Sequence, residues 1–530
     1  MQNSQTYKIW HIKIDFNITP AEIKLCGTGC TIKKNQNHTN IYWNNNGRSE
    51  LIVRIEDKLA KIWTVGGQVC PFYTALKKGV LEITNVVSNL FIRNQRLYVN
   101  PDVLAQNLTG IPYPLNNMFT QFTLLEASAE YTVTKLGILR CNSMLSNKTN
   151  LSSSEVMDKI INDWEVHFKD GRDIVVLLSG GYDSRLNIAI AKYIAKKHKN
   201  EVYAYHEIKD QTELEISSAV ATCMDVKFLT VHRSERIKQD NCVFFNSDFI
   251  ELQSGFYRDN LIRWHRSIEE IKLRFPNSHI MGLGAEAHKG KFYNLIKSIG
   301  KDSDKHLNID TLIINYIKQK LGLNYIKKTS QNSYMMDLMK NLEEFECDSA
   351  KIDYMHYHTY ITNGYGHRCF DLQQHFGISF PFLDNEFLSA VFNLPKKEKE
   401  NFKLVENTIR KLNSNLMEIP FTSGNIKSTQ DKSISLTSSV KRFVKASLGA
   451  RYFDLFPPSK KGKVKYNHEE LSELLSLSCN SNVNAKLLEL ALGNATDVSF
   501  LRLDYLLQAC LYLGHIEKKY NLDIVYEEEV

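Results

Sequence analysis

Hydrophobic spacing changes character along the chain. Up to about residue 140 the apolar runs are short and interrupted by polar residues. Tyr7–Phe16 alternates imperfectly with period two, Leu51–Val65 reads as two strands meeting at Glu56-Asp57-Lys58, and Gly79–Thr84 reads as another strand. A helix is predicted over Asp102–Leu108, with Pro101 at its start. This pattern predicts an α+β region built on antiparallel sheets. No catalytic cluster stands out in it.

From about residue 150 helical spacing begins. Ser152–Trp164 predicts a capped amphipathic helix with Val156, Ile160, Ile161 and Trp164 on one side. Ile174–Leu178 is then a continuous apolar run, too short for a helix and apolar on both faces, as in a buried parallel strand. It stops at Ser179-Gly180-Gly181, and Asp183 or Ser184 is placed to cap a helix beginning near Arg185. Strand Glu201–His206, helix Glu213–Thr222, strand Val226–Val231 and strand His279–Gly284 follow. Strands alternating with helices predict a doubly wound parallel sheet, whose ligand sits beyond the carboxyl ends of the strands. Both glycine-rich turns, after Leu178 and at Gly282–Gly284, lie at such ends. Residues 305–425 read as mostly helical and rich in Tyr and Phe. Residues 427–465 are basic and rich in Ser and Lys, a mobile lid or, as favoured here, a solvated excursion. Residues 467–520 read as closing helices. No repeat of solenoid period is present.

The expected fold class is therefore α/β: an N-terminal α+β sandwich over 1–145, then a parallel-sheet domain with added helices over 150–530. A length of 530 residues is too great for one core and fits two to four domains. Composition is that of an ordinary globular chain, 43% hydrophobic and 24% charged. A net charge of +7 over this length fits an anionic ligand and gives no case for nucleic acid. The ten cysteines are scattered, and Cys26 and Cys30 form the only close pair. Idle thiols in a reducing compartment are the simpler reading. Met1–Lys8 lacks the apolar core of a signal peptide, and no apolar run reaches membrane-spanning length. A cytoplasmic protein with no membrane span is expected.

The specific chemical signal is Ser179-Gly-Gly-Tyr-Asp-Ser184. A turn between a strand end and a helix N-terminus aims N–H groups and the positive end of the helix dipole at one point. Glycines let the backbone approach a phosphate closely. Hydroxyls and N–H groups suit a diphosphate, and an aspartate suits Mg²⁺. The turn lacks the Gly-Lys-Ser/Thr ending of a Walker loop. It has the form of the pyrophosphate loop of enzymes that cleave ATP between its α and β phosphates. A plain tight turn closing a strand–helix unit is the bland alternative.

With that turn as the first landmark, the chain resembles the asparagine synthetase superfamily over nearly its whole length. Met281–Ala287 looks like the family's Gly-Glu-Gly-Ala-Asp-Glu element, and Arg368 with Phe380–Asp384 is similar to its arginine-led helix and Pro-Phe-Leu-Asp. Lys403–Arg410 followed by Pro420–Lys427 is similar to the segment near its active site. Lys61–Val65 with Pro71-Phe-Tyr, Leu97–Leu108 and Thr120–Gly137 follow its glutaminase-type domain. Gln2 stands where a glutaminase needs its nucleophilic cysteine, so this domain is expected to be a degenerate scaffold that does not hydrolyse glutamine. Leu283 replaces a family glutamate, Glu286 an aspartate, and Ala287 a further carboxylate.

The resemblance implies an ATP-dependent, AMP-forming amide ligase similar to β-lactam synthetase, carbapenam synthetase and lasso-peptide cyclases. It would join a small-molecule, peptide or sugar carboxylate to an amine. Ser179, Gly180, Gly181, Asp183, Ser184, Gly282 and Gly284 would hold ATP. Asp183 and Glu286 would hold Mg²⁺. Asp183, Glu286 and Lys427 would be the catalytic residues, although a solvated lysine in a basic stretch explains Lys427 equally well. Lys403 and Arg410 are lesser phosphate contacts, and Glu213 is either a metal helper or a helix-terminal residue. A nucleotide-binding protein that has lost catalysis, and a tRNA-modifying enzyme sharing the loop, are the competing classes. His356 and His358, two residues apart on a helix, face different sides and do not read as a shared metal site.

Overall fold

The computed structural model describes residues 10–18, 21–27, 30–45, 48–65, 71–99, 118–146, 149, 151–208, 211–232, 271–281, 293, 308–320, 336, 338–358, 381–421 and 512–526. The chain opens with twelve strands: β1 (Trp10–Asp15), β2 (Glu22–Gly27), β3 (Cys30–Lys34), β4 (Thr39–Asn45), β5 (Arg48–Glu56), β6 (Leu59–Thr64), β7 (Tyr73–Lys77), β8 (Val80–Thr84), β9 (Arg96–Val99), β10 (Thr123–Leu124), β11 (Ala129–Thr134) and β12 (Gly137–Ser143). Two sheets form, in orders β10-β7-β8-β1-β2 and β12-β11-β6-β5-β4-β3, with antiparallel neighbours throughout. The two strands predicted over Leu51–Val65 are β5 and β6, turning at Asp57. Alternation sends Trp10, Ile12 and Ile14 inward from β1, and Ala60, Ile62 and Thr64 inward from β6. The inner faces meet through Trp10, Trp43 and Phe72, whose ring centroids lie 5.8–5.9 Å apart in tilted and edge-on contacts. The predicted helix at Asp102–Leu108 lies outside the described residues.

Helix α1 (Ser153–Phe168) follows, opened by the capping box that its sequence announces: Ser152 Oγ accepts from the Glu155 N–H, and Glu155 accepts from the Ser152 N–H at 2.7 Å. Then come β13 (Ile174–Leu177), α2 (Tyr182–His198), β14 (Val202–Ile208), α3 (Gln211–Cys223), β15 (Lys227–His232) and β16 (His279–Met281). These strands make an all-parallel sheet of order β15-β14-β13-β16, so the α/β class with a parallel sheet holds. Ile174, Val175 and Val176 are all buried because β13 is an inner strand covered on both faces. The helical part supplies α4 (Ile309–Lys320), α5 (Asp348–His356), α6 (Asn385–Asn393), α7 (Lys396–Lys399) and α8 (Lys403–Asn413).

Two features bind distant parts of the chain. Strand β17 (Asp523–Tyr526) pairs in parallel with β9, and Arg96 meets Asp523 at 2.6 Å. Residues 512–520 are helical, and Tyr512, Leu513 and Ile516 join Leu522 and Ile524 in a core with Leu97, Phe119 and Phe122. A buried polar seam also joins the sandwich to α5 and its C-terminal extension. Glu126 takes Arg140 Nε at 2.6 Å and the Tyr354 hydroxyl, while Arg140 reaches Glu344 at 2.6 Å. Removing one member would strand a buried charge, the costly half of the asymmetry between pairing and unpairing.

Candidate functional site

The site begins where β13 ends. The Leu178 N–H donates to Tyr205 O at 2.8 Å, continuing the ladder one residue past the strand. The chain then turns through Ser179 and Gly180 into α2. The helix starts earlier than the sequence implies: Gly181 is its N-cap and makes no side-chain cap bond, so neither Asp183 nor Ser184 caps it. The reason lies in Ser184. Its hydroxyl folds back onto Ser179 O at 2.6 Å and Gly181 O at 3.1 Å, and lies 3.1 Å from the Ser179 hydroxyl. Ser184 thus closes the turn from inside the first helical turn. The Gly181 N–H meets the Ser179 hydroxyl at 3.4 Å.

Gly181 has φ −89°, a conformation open to any residue. A Cβ there would meet the Ser179 hydroxyl at 3.5 Å, an ordinary contact. Neither strain nor internal crowding therefore demands glycine at this position. The opening N–H groups of α2 have no acceptor within the helix, and the helix dipole places partial positive charge beside them. Asp183 is half-buried in this first turn. The turn thus gathers backbone N–H groups, two hydroxyls and one carboxylate at the carboxyl end of β13.

A second layer holds the turn. His206, buried near the end of β14, bonds Leu178 O through Nδ1 at 2.9 Å. A carbonyl only accepts, so Nδ1 carries the proton in this bond. Tyr182 stacks between Phe402 and Phe421, at centroid distances of 4.6 and 3.9 Å, and its hydroxyl donates to Glu406 at 2.8 Å. Burial, aided by Glu406, pushes the Tyr182 phenol pKa up, so the ring stays neutral. Phe402 holds φ +64°, costly for a bulky residue by about 1–3 kcal/mol. Arg185 is fully buried; it donates to Leu416 O at 2.7 Å, Ile419 O at 2.6 Å and Pro420 O, under the Phe421 ring at 3.6 Å. Burial brings its pKa down to about 10, still a cation at neutral pH.

The expected site residues divide accordingly. Ser179, Gly180, Gly181, Asp183 and Ser184 come together in one turn. Gly282, Leu283, Gly284, Glu286, Ala287, Arg368 and Lys427 lie outside the described residues; β16, which ends at Met281, runs parallel beside β13. Lys403 and Arg410 lie on α8, and both are exposed. Glu213 sits in the first turn of α3. Asp384 serves the helix that follows it, capping α6 by accepting from the N–H groups of Glu386 and Phe387 at 3.0 and 3.2 Å. Phe382 packs on Trp164 at 5.1 Å. His358 stacks flat on Tyr354 and lies 3.7 Å from Glu126, in the seam rather than at the turn. Sequence reading missed Arg185, Tyr182, Phe402 and Phe421. Their one local signal was an arginine directly after the turn's last serine.

A groove of about 900 Å³ runs beside this layer, lined by Leu214, Ser218, Cys223, Phe228, Asn415 and Glu418 among others. Among the described residues no group of three or more His, Cys, Asp or Glu side chains is placed to hold a metal. No helix among them is long and apolar enough to cross a membrane.

No family model matches the chain, and no curated protein sequence matches it. Among solved structures it is similar to an NH3-dependent NAD synthetase from Campylobacter jejuni, at 16% identity over 41% of this chain and 96% of that one, with a TM-score of 0.21. An NAD+ synthetase from Burkholderia pseudomallei matches at 12% identity over 40% of this chain and 88% of the other, also with a TM-score of 0.21. Nothing about activity transfers at this level of likeness.

Proposed function

We propose that the chain is an ATP-dependent, AMP-forming amide ligase of asparagine-synthetase type that works without glutamine hydrolysis. One observation carries the proposal: the Ser179–Ser184 turn sits at the carboxyl end of an inner parallel strand and opens a helix, whose first N–H groups have no acceptor within the helix. In this reading the turn takes the β,γ-diphosphate of ATP. A carboxylate oxygen attacks the α-phosphorus, the bond to the β-phosphate oxygen breaks, and pyrophosphate leaves. An amine then attacks the acyl carbon of the adenylate, AMP leaves, and the amine's surplus proton passes to a base. The turn's N–H groups and hydroxyls stabilise charge building on the departing diphosphate. Holding acid and amine together supplies much of the second step.

Mg²⁺ commonly binds through one or two carboxylates plus substrate phosphates. The half-buried Asp183 beside the hydroxyls of Ser179 and Ser184 fits that donor set. Glu286 would be the second carboxylate, and the ion would neutralise diphosphate charge. Lys427 would steady the acyl-transfer transition state. The N-terminal sandwich would serve as a scaffold, and the acid and amine would belong to a natural-product, peptide or surface-polysaccharide precursor.

The experiment is product analysis with MgATP and pooled candidate acids and amines. AMP and pyrophosphate are expected, with turnover falling roughly 100-fold or more in Asp183→Ala, the scale seen when a transition-state charge partner is removed. Normal turnover in that variant, or ADP and phosphate as products, sinks the reading. Leu283 and Ala287 favour a second reading, a nucleotide-binding protein without catalysis. It requires MgATP binding with no pyrophosphate exchange for any acid.

A further inference from the structure

Arg185 raises a problem of charge. It is 0% exposed, and among the described residues no carboxylate lies within ion-pair distance of it. Its N–H groups go to backbone carbonyls, those of Leu416, Ile419 and Pro420, with Gly180 O at the limit of 3.5 Å. Its Nε has no acceptor among the described residues. Carbonyl dipoles and the Phe421 face soften a buried cation but do not neutralise it, and such a charge is costly to keep. Its position is informative. The Gly180 carbonyl and the Gly181 N–H belong to one peptide group. The guanidinium lies on the carbonyl side, so it polarises that peptide and makes the Gly181 N–H, which now meets the Ser179 hydroxyl, a stronger donor.

We propose that Arg185 is a positioning residue whose positive charge forms the electrostatic floor of the turn, and that a bound diphosphate supplies the counter-charge that no described residue provides. This role rests on the diphosphate reading of Ser179–Ser184. The rival role is purely architectural: the accepting carbonyls lie at the end of the short 3₁₀ helix Ser414–Met417 (Leu416) and just beyond it (Ile419, Pro420), and a cation there caps a helix end without any ligand. The two roles separate on charge. A cap matters for folding and for the path of residues 416–421. A floor matters for anion affinity, and more for the more highly charged anion.

The test titrates the full chain with inorganic pyrophosphate and, separately, with inorganic phosphate, by calorimetry and by the shift in melting midpoint. Wild type, Arg185→Lys and Arg185→Gln are compared. Arg185→Gln is expected to weaken pyrophosphate at least about tenfold and phosphate by less, since the lost Coulomb attraction scales with ligand charge. Arg185→Lys loses the planar fork but keeps the charge, and is expected to lose clearly less pyrophosphate affinity than Arg185→Gln. Wild-type affinity in Arg185→Gln, or equal loss in both variants, overturns the proposal. Should Arg185→Gln not fold, Arg185→Lys decides, because failure of the lysine variant to bind pyrophosphate overturns a role based on charge. Pyrophosphate binding by wild type that ignores residue 185 sinks this role alone. No pyrophosphate binding by wild type sinks the diphosphate reading with it.

Discussion

Two aromatic clusters in this molecule differ in geometry and in what they hold. In the sandwich, Trp10, Trp43 and Phe72 meet at tilted and edge-on angles of 40–80° with nothing charged among them. At the sheet's carboxyl end, Phe402, Tyr182 and Phe421 stack nearly flat, at 13–15°, and the column ends on the Arg185 guanidinium. The first arrangement fills space between two faces. The second keeps a cation and a phenol in fixed places beside a turn that the first never touches. Aromatic residues thus close a core in one region and carry polar groups to a site in the other.

The clearest way to break this contrast is to empty the first cluster. Trp43→Ala is expected to cost about 3–5 kcal/mol of stability, the range for a large buried aromatic, while the folded fraction binds MgATP as before. Chemical denaturation with a parallel binding titration checks both halves. A loss of affinity as large as the loss of stability would show that the regions are not separate. Phe421→Ala attacks the second cluster. Removing the ring over Arg185 is expected to cost roughly 0.5–2 kcal/mol and to weaken pyrophosphate about threefold, less than removing the charge itself. Unchanged affinity with lowered stability would reduce that ring to packing.

How far the sequence foretells each region follows from sequence distance. The strands, the α1 capping box and the Ser179–Ser184 turn are local patterns, carried by alternation, spacing and glycine, and they are legible. The start of α2 departs from expectation because Ser184 spends its hydroxyl on closing the turn instead of capping the helix. The second cluster is not legible at all. Arg185 bonds to carbonyls more than 230 residues away, and those acceptors are backbone atoms that carry no residue identity. Phe402 takes a left-handed φ that composition does not announce, and β17 finds β9 across 427 residues, between Arg96 and Asp523.

The smallest expected effect concerns acid. Burial holds the His358 imidazole below its ordinary pKa of 6.5, against the opposing pull of Glu126, and burial likewise lowers His279 and His11. The folded state therefore prefers neutral imidazole, whereas the unfolded chain takes up protons near pH 6.5. That part of stability is full above pH 6.5 and is lost progressively below it. Denaturation midpoints are expected to fall between pH 7 and pH 5, and the slope to flatten in His358→Gln. A midpoint that rises on acidification contradicts the assignment.

The central claim is that the turn holds the diphosphate of ATP. Hydrogen–deuterium exchange on the full chain, with MgATP and with adenosine as control, tests it without knowledge of the acid or amine. MgATP is expected to slow exchange in peptides covering residues 178–186, and adenosine is expected to leave them unchanged. Protection confined to other segments, or equal protection by adenosine, contradicts it.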